Sequence, residues 1–145
     1  MRISKKCQYA LRAVFELSWR NSGHPVKISE IAKAQGISGR FLEVILNQLR
    51  HAGFVESRRG SEGGYLLVKP AETLTVGEVI EVVQGPVSVV GNEDNHLDFS
   101  GNFAFKQLWQ EVNDTVSQIY RNTTFAELVK NEKARKTASV PNYTI

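Results

Sequence analysis

Arg40, Glu43 and Asn47 are spaced by three and four residues, so a helix would present them together on one face, with Gly39 and Val44 beside them. A guanidinium at Arg40 can approach guanine or phosphate, and a carboxylate at Glu43 can accept from a cytosine amino group. Ser38 and Gly39 stand at the start of that segment, where free backbone amides can face a phosphate. Further on, Arg58 and Arg59 lead into Gly60-Ser61-Glu62-Gly63-Gly64, a flexible tip from which a guanidinium can enter a minor groove or grip phosphates. Lys5, Lys6 and Lys27 supply further cations for phosphate contact. This is chemistry for holding a duplex, with double-stranded DNA as the expected partner.

Bond-making chemistry is poorly represented. No Ser/His/Asp or Cys/His set is recognisable and no carboxylate pair has a pocket context, so an enzyme is not expected. Gly60-Ser61-Glu62-Gly63-Gly64 lacks the Lys-Ser/Thr of a phosphate-binding loop and the helix that follows it. His24, His51 and His96 lack metal-ligand spacing and read as solvent-facing or hydrogen-bonded residues. The one cysteine, Cys7, cannot form an intrachain disulfide or a Cys-only metal site within one chain. It would act as a redox switch only if two copies met or if Lys5 or Lys6 activated its thiolate; the simpler expectation is an inert helix residue. No metal and no cofactor are expected.

The elements that must position these residues follow from periodicity. Ala10, Ala13, Val14 and Leu17, widened by Leu11 and Phe15, predict a helix over Tyr9 to Trp19, ended by Asn21-Ser22-Gly23-His24-Pro25. Ser29 is expected to cap a short helix that Gly36 stops. Ser38 caps a second, carrying Phe41, Leu42, Ile45, Leu46 and Leu49 to His51, with Gly53 just beyond. Small Ala32, turn-forming Gly36 and the plug Ile37 give the pair the composition of a helix-turn-helix. Phe54 to Arg59 and Tyr65 to Val68 then read as two strands of a hairpin, which makes the motif winged. A helix pair that merely packs, with an idle hairpin, is the alternative.

Downstream, Thr75 and Glu78 form a capping box ahead of Val76, Val79, Ile80 and Val83, and Gly85-Pro86 ends that helix. A polar loop over 90–104 precedes the longest periodic run, Phe105, Leu108, Trp109, Val112, Val116 and Ile119. These six are expected to bury part of their stripe in a second copy of the chain, giving a homodimer that matches a two-half-site operator. Thr124 caps a shorter helix with Phe125, Leu128 and Val129. The expected fold is mainly α with a small β-hairpin: a winged helix-turn-helix over 1–70, a helical dimerisation region over 71–130, and a C-terminal tail over 131–145.

Charge follows the same division. The chain has 145 residues and a net charge of +3. Residues 1–69 hold twelve Lys and Arg against five acids, whereas residues 70–145 hold six against ten. A basic front joined to an acidic rear suits a polyanion-binding head on a different scaffold. No apolar run reaches membrane-span length, and the start Met1-Arg2-Ile3-Ser4-Lys5-Lys6-Cys7 lacks a signal-peptide core, so a cytoplasmic protein with no membrane partner is expected. The functional expectation is a sequence-specific transcription regulator, a repressor by preference. The alternative is an interaction adaptor whose winged helix no longer reads DNA.

Several segments resemble one family. Tyr9-Ala10-Leu11-Arg12, Ile28-Ser29-Glu30-Ile31-Ala32, Gly36-Ile37-Ser38, Phe41-Leu42-Glu43 and Leu49-Arg50 are similar to the Rrf2 family of bacterial transcription regulators. So are Arg59-Gly60 followed by Gly63-Gly64-Tyr65-Leu66-Leu67, and Val76-Gly77-Glu78-Val79-Ile80. The resemblance covers roughly residues 1–130. It implies a winged-helix dimer joined through long helices, with Glu43 as the base-reading acid and Arg59 as the wing arginine. Where Arg40 stands the family often has a small polar residue, so the resemblance does not fix operator preference. Many members hold an iron–sulfur cluster through three cysteines and a histidine near the long helix. Here Phe103 and Lys106 fall at the last cysteine and the histidine positions, and Gln8 occupies the region where some members supply a carboxylate. The resemblance therefore implies a cluster-free member.

Cluster-free members include cysteine-metabolism repressors that partner cysteine synthase. Asn142-Tyr143-Thr144-Ile145 resembles the terminal peptide by which serine acetyltransferase occupies that enzyme's active site. The resemblance implies a tail read by C-terminal carboxylate capture; the alternative is a chain end that binds nothing.

Overall fold

A computed structural model describes residues 2–90 and 99–139. In chain order these form α1 (Lys5–Arg20), α2 (Ile28–Gln35), α3 (Gly39–His51), β1 (Val55–Arg58), β2 (Gly64–Leu67), α4 (Val76–Val83), α5 (Asn102–Arg121) and α6 (Phe125–Ser139). The mainly α architecture with one hairpin agrees with the sequence reading.

Helix α1 starts four residues before the predicted Tyr9, because the Ser4 hydroxyl accepts from the Cys7 amide and caps it. Asn21, the first residue of the predicted terminating loop, closes it in the left-handed region at φ 32. Its inner face puts Cys7, Ala10, Ala13, Val14 and Leu17 in the core. Against it lie Ile31 of α2, Leu42, Ile45, Leu46 and Leu49 of α3, Val79 and Ile80 of α4, and Phe125 of α6. Each of the Val, Leu, Ile and Phe side chains, once buried, contributes about 1.5–3 kcal/mol relative to exposure.

One cap differs from expectation. Ser29 lies inside α2 and the N-cap is Lys27, whose backbone N–H donates to Glu30 Oε2 at 3.3 Å. The carboxylate three residues into the helix reaches back, so a hydroxyl is not needed. The turn itself is as read: Gly36, at φ 66, ends α2 and leads to Ile37, which is buried between the two helices.

The hairpin pairs Val55 with Leu67 and Arg58 with Gly64. A bridge from Val26 to Tyr65 adds a third edge, its two hydrogen bonds measuring 2.7 and 2.9 Å. At Gly64 (φ 151) a Cβ would lie 2.3 Å from the Val26 carbonyl oxygen, so no larger residue allows this approach. The wing is thereby locked to the residues leading into α2.

Two boundaries move in the rear half. Helix α5 begins at Asn102, inside the expected 90–104 loop. Helix α6 continues through Asn131 to Ser139, past the point assigned to the tail. Its start is anchored by Phe125 N–H donating to the Leu74 carbonyl and Val76 N–H to that of Thr123, which delivers Phe125 to the core. Beyond Asn131 the helix has no apolar stripe to betray it, since Asn131, Lys133 and Arg135 are solvated.

Candidate nucleic-acid interface

The Ser38 hydroxyl accepts from the Phe41 amide at 3.2 Å and sets the start of α3. Leu42, Ile45, Leu46 and Leu49 are all 0% exposed on its inner side. That anchorage leaves Arg40, Glu43, Val44 and Asn47 on the outer face, all exposed, as the sequence predicted. Gly39 is half-buried beside Ile28. Gln48 points the other way and donates its amide to the Val82 carbonyl at 3.1 Å, fastening α3 to α4.

Arg50, His51, Phe41 and Tyr9, which the sequence does not assign to the candidate interface, adjoin these residues. Arg50 Nη2 donates to Asn47 Oδ1 at 2.7 Å, and His51 Nδ1 lies 2.8 Å from the Asn47 carbonyl. The Asn47 amide oxygen is thus already engaged, and its NH₂ is what remains to offer a base. Phe41 meets Tyr9 edge to face at 5.4 Å, and Lys5 Nζ sits 5.8 Å from the Tyr9 ring centre. This aromatic contact brings the start of α1, with exposed Lys5 and half-buried Lys6, beside the start of α3. Three-residue helix spacing marks Phe41 as a neighbour of Val44, but only folding pairs it with Tyr9.

The wing cations differ from one another. Arg58 forks onto Glu56 Oε1 through Nε at 3.0 Å and Nη2 at 2.6 Å. Both partners are well exposed, so such a pair contributes at most about 1 kcal/mol and yields readily to phosphate. Arg59 is exposed at the tip and forms no ion pair among the described residues. Lys27 is exposed where the Val26–Tyr65 bridge meets α2, so it flanks the wing.

A buried polar relay fixes α2 beneath this face. Glu16, its side chain 10% exposed, accepts from Arg20 at 2.7 Å and from Gln35 Nε2 at 2.9 Å. Arg20 also reaches Glu30 at 3.7 Å, so both ends of α2 are held to α1. The Glu16/Arg20 spacing is legible in sequence as a helical pair; Gln35, nineteen residues away, is not.

In the rear half, α5 has no buried residue. Phe105 (56%), Leu108 (44%) and Ile119 (60%) are exposed, while Trp109, Val112 and Val116 are half-covered. Phe105 and Trp109 stack at 6.1 Å. A groove of about 1030 Å³, lined by Leu11, Phe15, Trp19, Tyr120 and Leu128 among others, opens between α1, α6 and the end of α5. Cys7 is fully buried, and desolvation holds its thiol above the ordinary value, away from the thiolate that redox chemistry needs. His24 and His51 are exposed; His96, Asn142, Tyr143, Thr144 and Ile145 lie outside the described residues. Among the described residues no helix is long and apolar enough to cross a membrane.

Comparison with known proteins gives one consistent picture. Residues 3–131 match the Rrf2 family, described as iron-dependent transcriptional regulators. The chain is 34% identical over 143 residues to the HTH-type transcriptional regulator IscR of Yersinia pseudotuberculosis, covering 98% of this chain and 87% of that protein. Among solved structures it is similar to CymR (YrzC), the global cysteine regulator of B. subtilis, with a TM-score of 0.79 and 32% identity over 90% of this chain and 98% of that one. It is also similar to T. potens IscR, with a TM-score of 0.77 and 28% identity over 99% and 95%. The donor set for an iron–sulfur cluster does not fit here: the single cysteine is sealed in the core, and Phe103 and Lys106 offer no thiolate or imidazole. Matched along nearly its whole length in sequence and in winged-helix architecture, the chain belongs to the Rrf2 family of transcriptional regulators.

Proposed function

We propose that the chain is a homodimeric repressor that binds a two-half-site DNA operator sequence-specifically and works without an iron–sulfur cluster. The observation that carries the reading is the exposure of Arg40, Glu43 and Asn47 on the outer face of α3, a helix anchored by four fully buried side chains, together with an exposed Arg59 on the wing. Arg40 and Glu43 face the major groove, Asn47 offers its amide, and the Ser38–Gly39 amides meet a phosphate. Arg58 and Arg59 enter the minor groove or grip its rim, with Lys5, Lys6 and Lys27 on flanking phosphates.

The exposed apolar stripe of α5 supports a second copy of the chain as its cover, and the groove beside α1 offers that copy additional apolar surface. The likeness to CymR supports a role in cysteine metabolism. Within that role, Asn142, Tyr143, Thr144 and Ile145 would engage cysteine synthase. A pull-down comparing the full chain with one lacking Ile145 tests this, and equal retention of the two would remove the tail from the reading.

Gel shifts with genomic fragments across a salt series test the central proposal. A preferred fragment and a steep fall of affinity with salt are expected. A shallow salt dependence with no preferred fragment would favour an adaptor instead.

A further inference from the structure

Val44 is 60% exposed in the middle of the outer face of α3, and Phe41, three residues earlier, is 39% exposed. The core side of the helix is complete without them, since Leu42, Ile45, Leu46 and Leu49 are each fully buried. Arg40 and Asn47 lie one turn to either side of Val44, and Glu43 adjoins it. An apolar spot is thus framed by hydrogen-bonding side chains. Helix propensity does not explain it, because valine is a weaker helix former than alanine or the straight-chain residues. Its isopropyl group is held in one strongly preferred rotamer on a helix, so it loses little freedom on contact.

The base edges of the major groove carry one ordinary apolar feature, the C5-methyl group of thymine. We propose that Val44 is a specificity-determining residue that packs on a thymine methyl within one base step of the pair read by Glu43. Phe41, held edge-on by Tyr9, walls one side of the contact. The inference rests on the DNA-binding reading above and extends it to the base that Val44 selects.

The test uses the full-length protein and its preferred operator fragment. Each thymine in one half-site is replaced singly by deoxyuridine, which removes only the methyl, and each cytosine singly by 5-methylcytosine. For the wild type, one thymine is expected to lose roughly fourfold in affinity on replacement, the equivalent of about 0.8 kcal/mol for one buried methyl. In Val44→Ala, which keeps a strong helix former at the site, the same replacement should cost less than twofold while the salt dependence stays unchanged. Equal sensitivity of wild type and variant at every thymine would overturn the proposal. So would indifference of all thymines with a gain only at a methylated cytosine, which would assign the contact to modified DNA. Failure to prefer any fragment would instead defeat the DNA-binding reading, and this inference with it.

Discussion

Among single residues, exposure and partnering divide the labour on the reading face. Glu43 is exposed and has no cation anchoring it among the described residues, so under the proposed function its carboxylate is expected to discriminate between bases more than it binds. Glu43→Ala should relax base preference while leaving affinity for random duplex nearly unchanged. Arg59→Ala should cost about 1–3 kcal/mol of operator affinity. Titration of both variants against operator and random duplex checks this; wild-type behaviour by both would remove these roles. Cys7 behaves differently because burial keeps its thiol protonated. The stability contributed by the neutral thiol is fully present below the unfolded-state value and is lost as pH rises through the raised folded-state value. Iodoacetamide at neutral pH should therefore leave Cys7 unmodified in the native protein and label it in denaturant, as read by intact mass. Rapid native labelling would reopen a redox role.

At the level of elements, caps and turns were legible because each is a local contest decided within four residues. Ser38, Thr75 and Thr124 each accept from a backbone amide three residues on, as their spacing predicted. Ser29 is not the cap, because the Glu30 carboxylate accepts from the Lys27 backbone N–H and sets the helix start two residues earlier. Close crossings are not local. A Cβ on Gly77 of α4 would lie 3.1 Å from the Arg121 nitrogen and 3.2 Å from the Tyr120 carbonyl carbon, both backbone atoms of α5. Alanine there gains about 1 kcal/mol of helix propensity but forces two backbones apart, at roughly 1–3 kcal/mol. Gly77→Ala should lower the urea midpoint, the opposite of what propensity alone gives. Deeper in the core, Leu49→Ala should cost about 2–5 kcal/mol by the same measurement.

For the whole molecule, the decisive feature is a long helix that finds little cover among the described residues. Exposed Leu108 and Ile119 on α5 are the residues expected to meet a second copy. In a symmetric dimer, replacing both by Glu removes four apolar burials of at least about 1.5 kcal/mol each, so the dimer dissociation constant should rise roughly ten-thousandfold. Sedimentation across a concentration series reads this directly, and operator affinity should fall with it because half-sites are then engaged singly. An unchanged sedimentation profile would mean that the stripe serves another purpose.

By itself the sequence determined the order of helices and hairpin, the capped starts at Ser38, Thr75 and Thr124, and most of the buried face of each early helix. Those follow from periodicity and from contests between neighbours in the chain. Only the tertiary structure decided that Arg58 leans on Glu56, that Gln35 is held by a buried Glu16, and that Tyr9 props a Phe41 left partly exposed. It also carried α6 past Asn131, where no apolar pattern marks a helix. Contacts between residues distant in the chain depend on how whole elements cross, and burial belongs to the assembled surface rather than to any stretch of sequence.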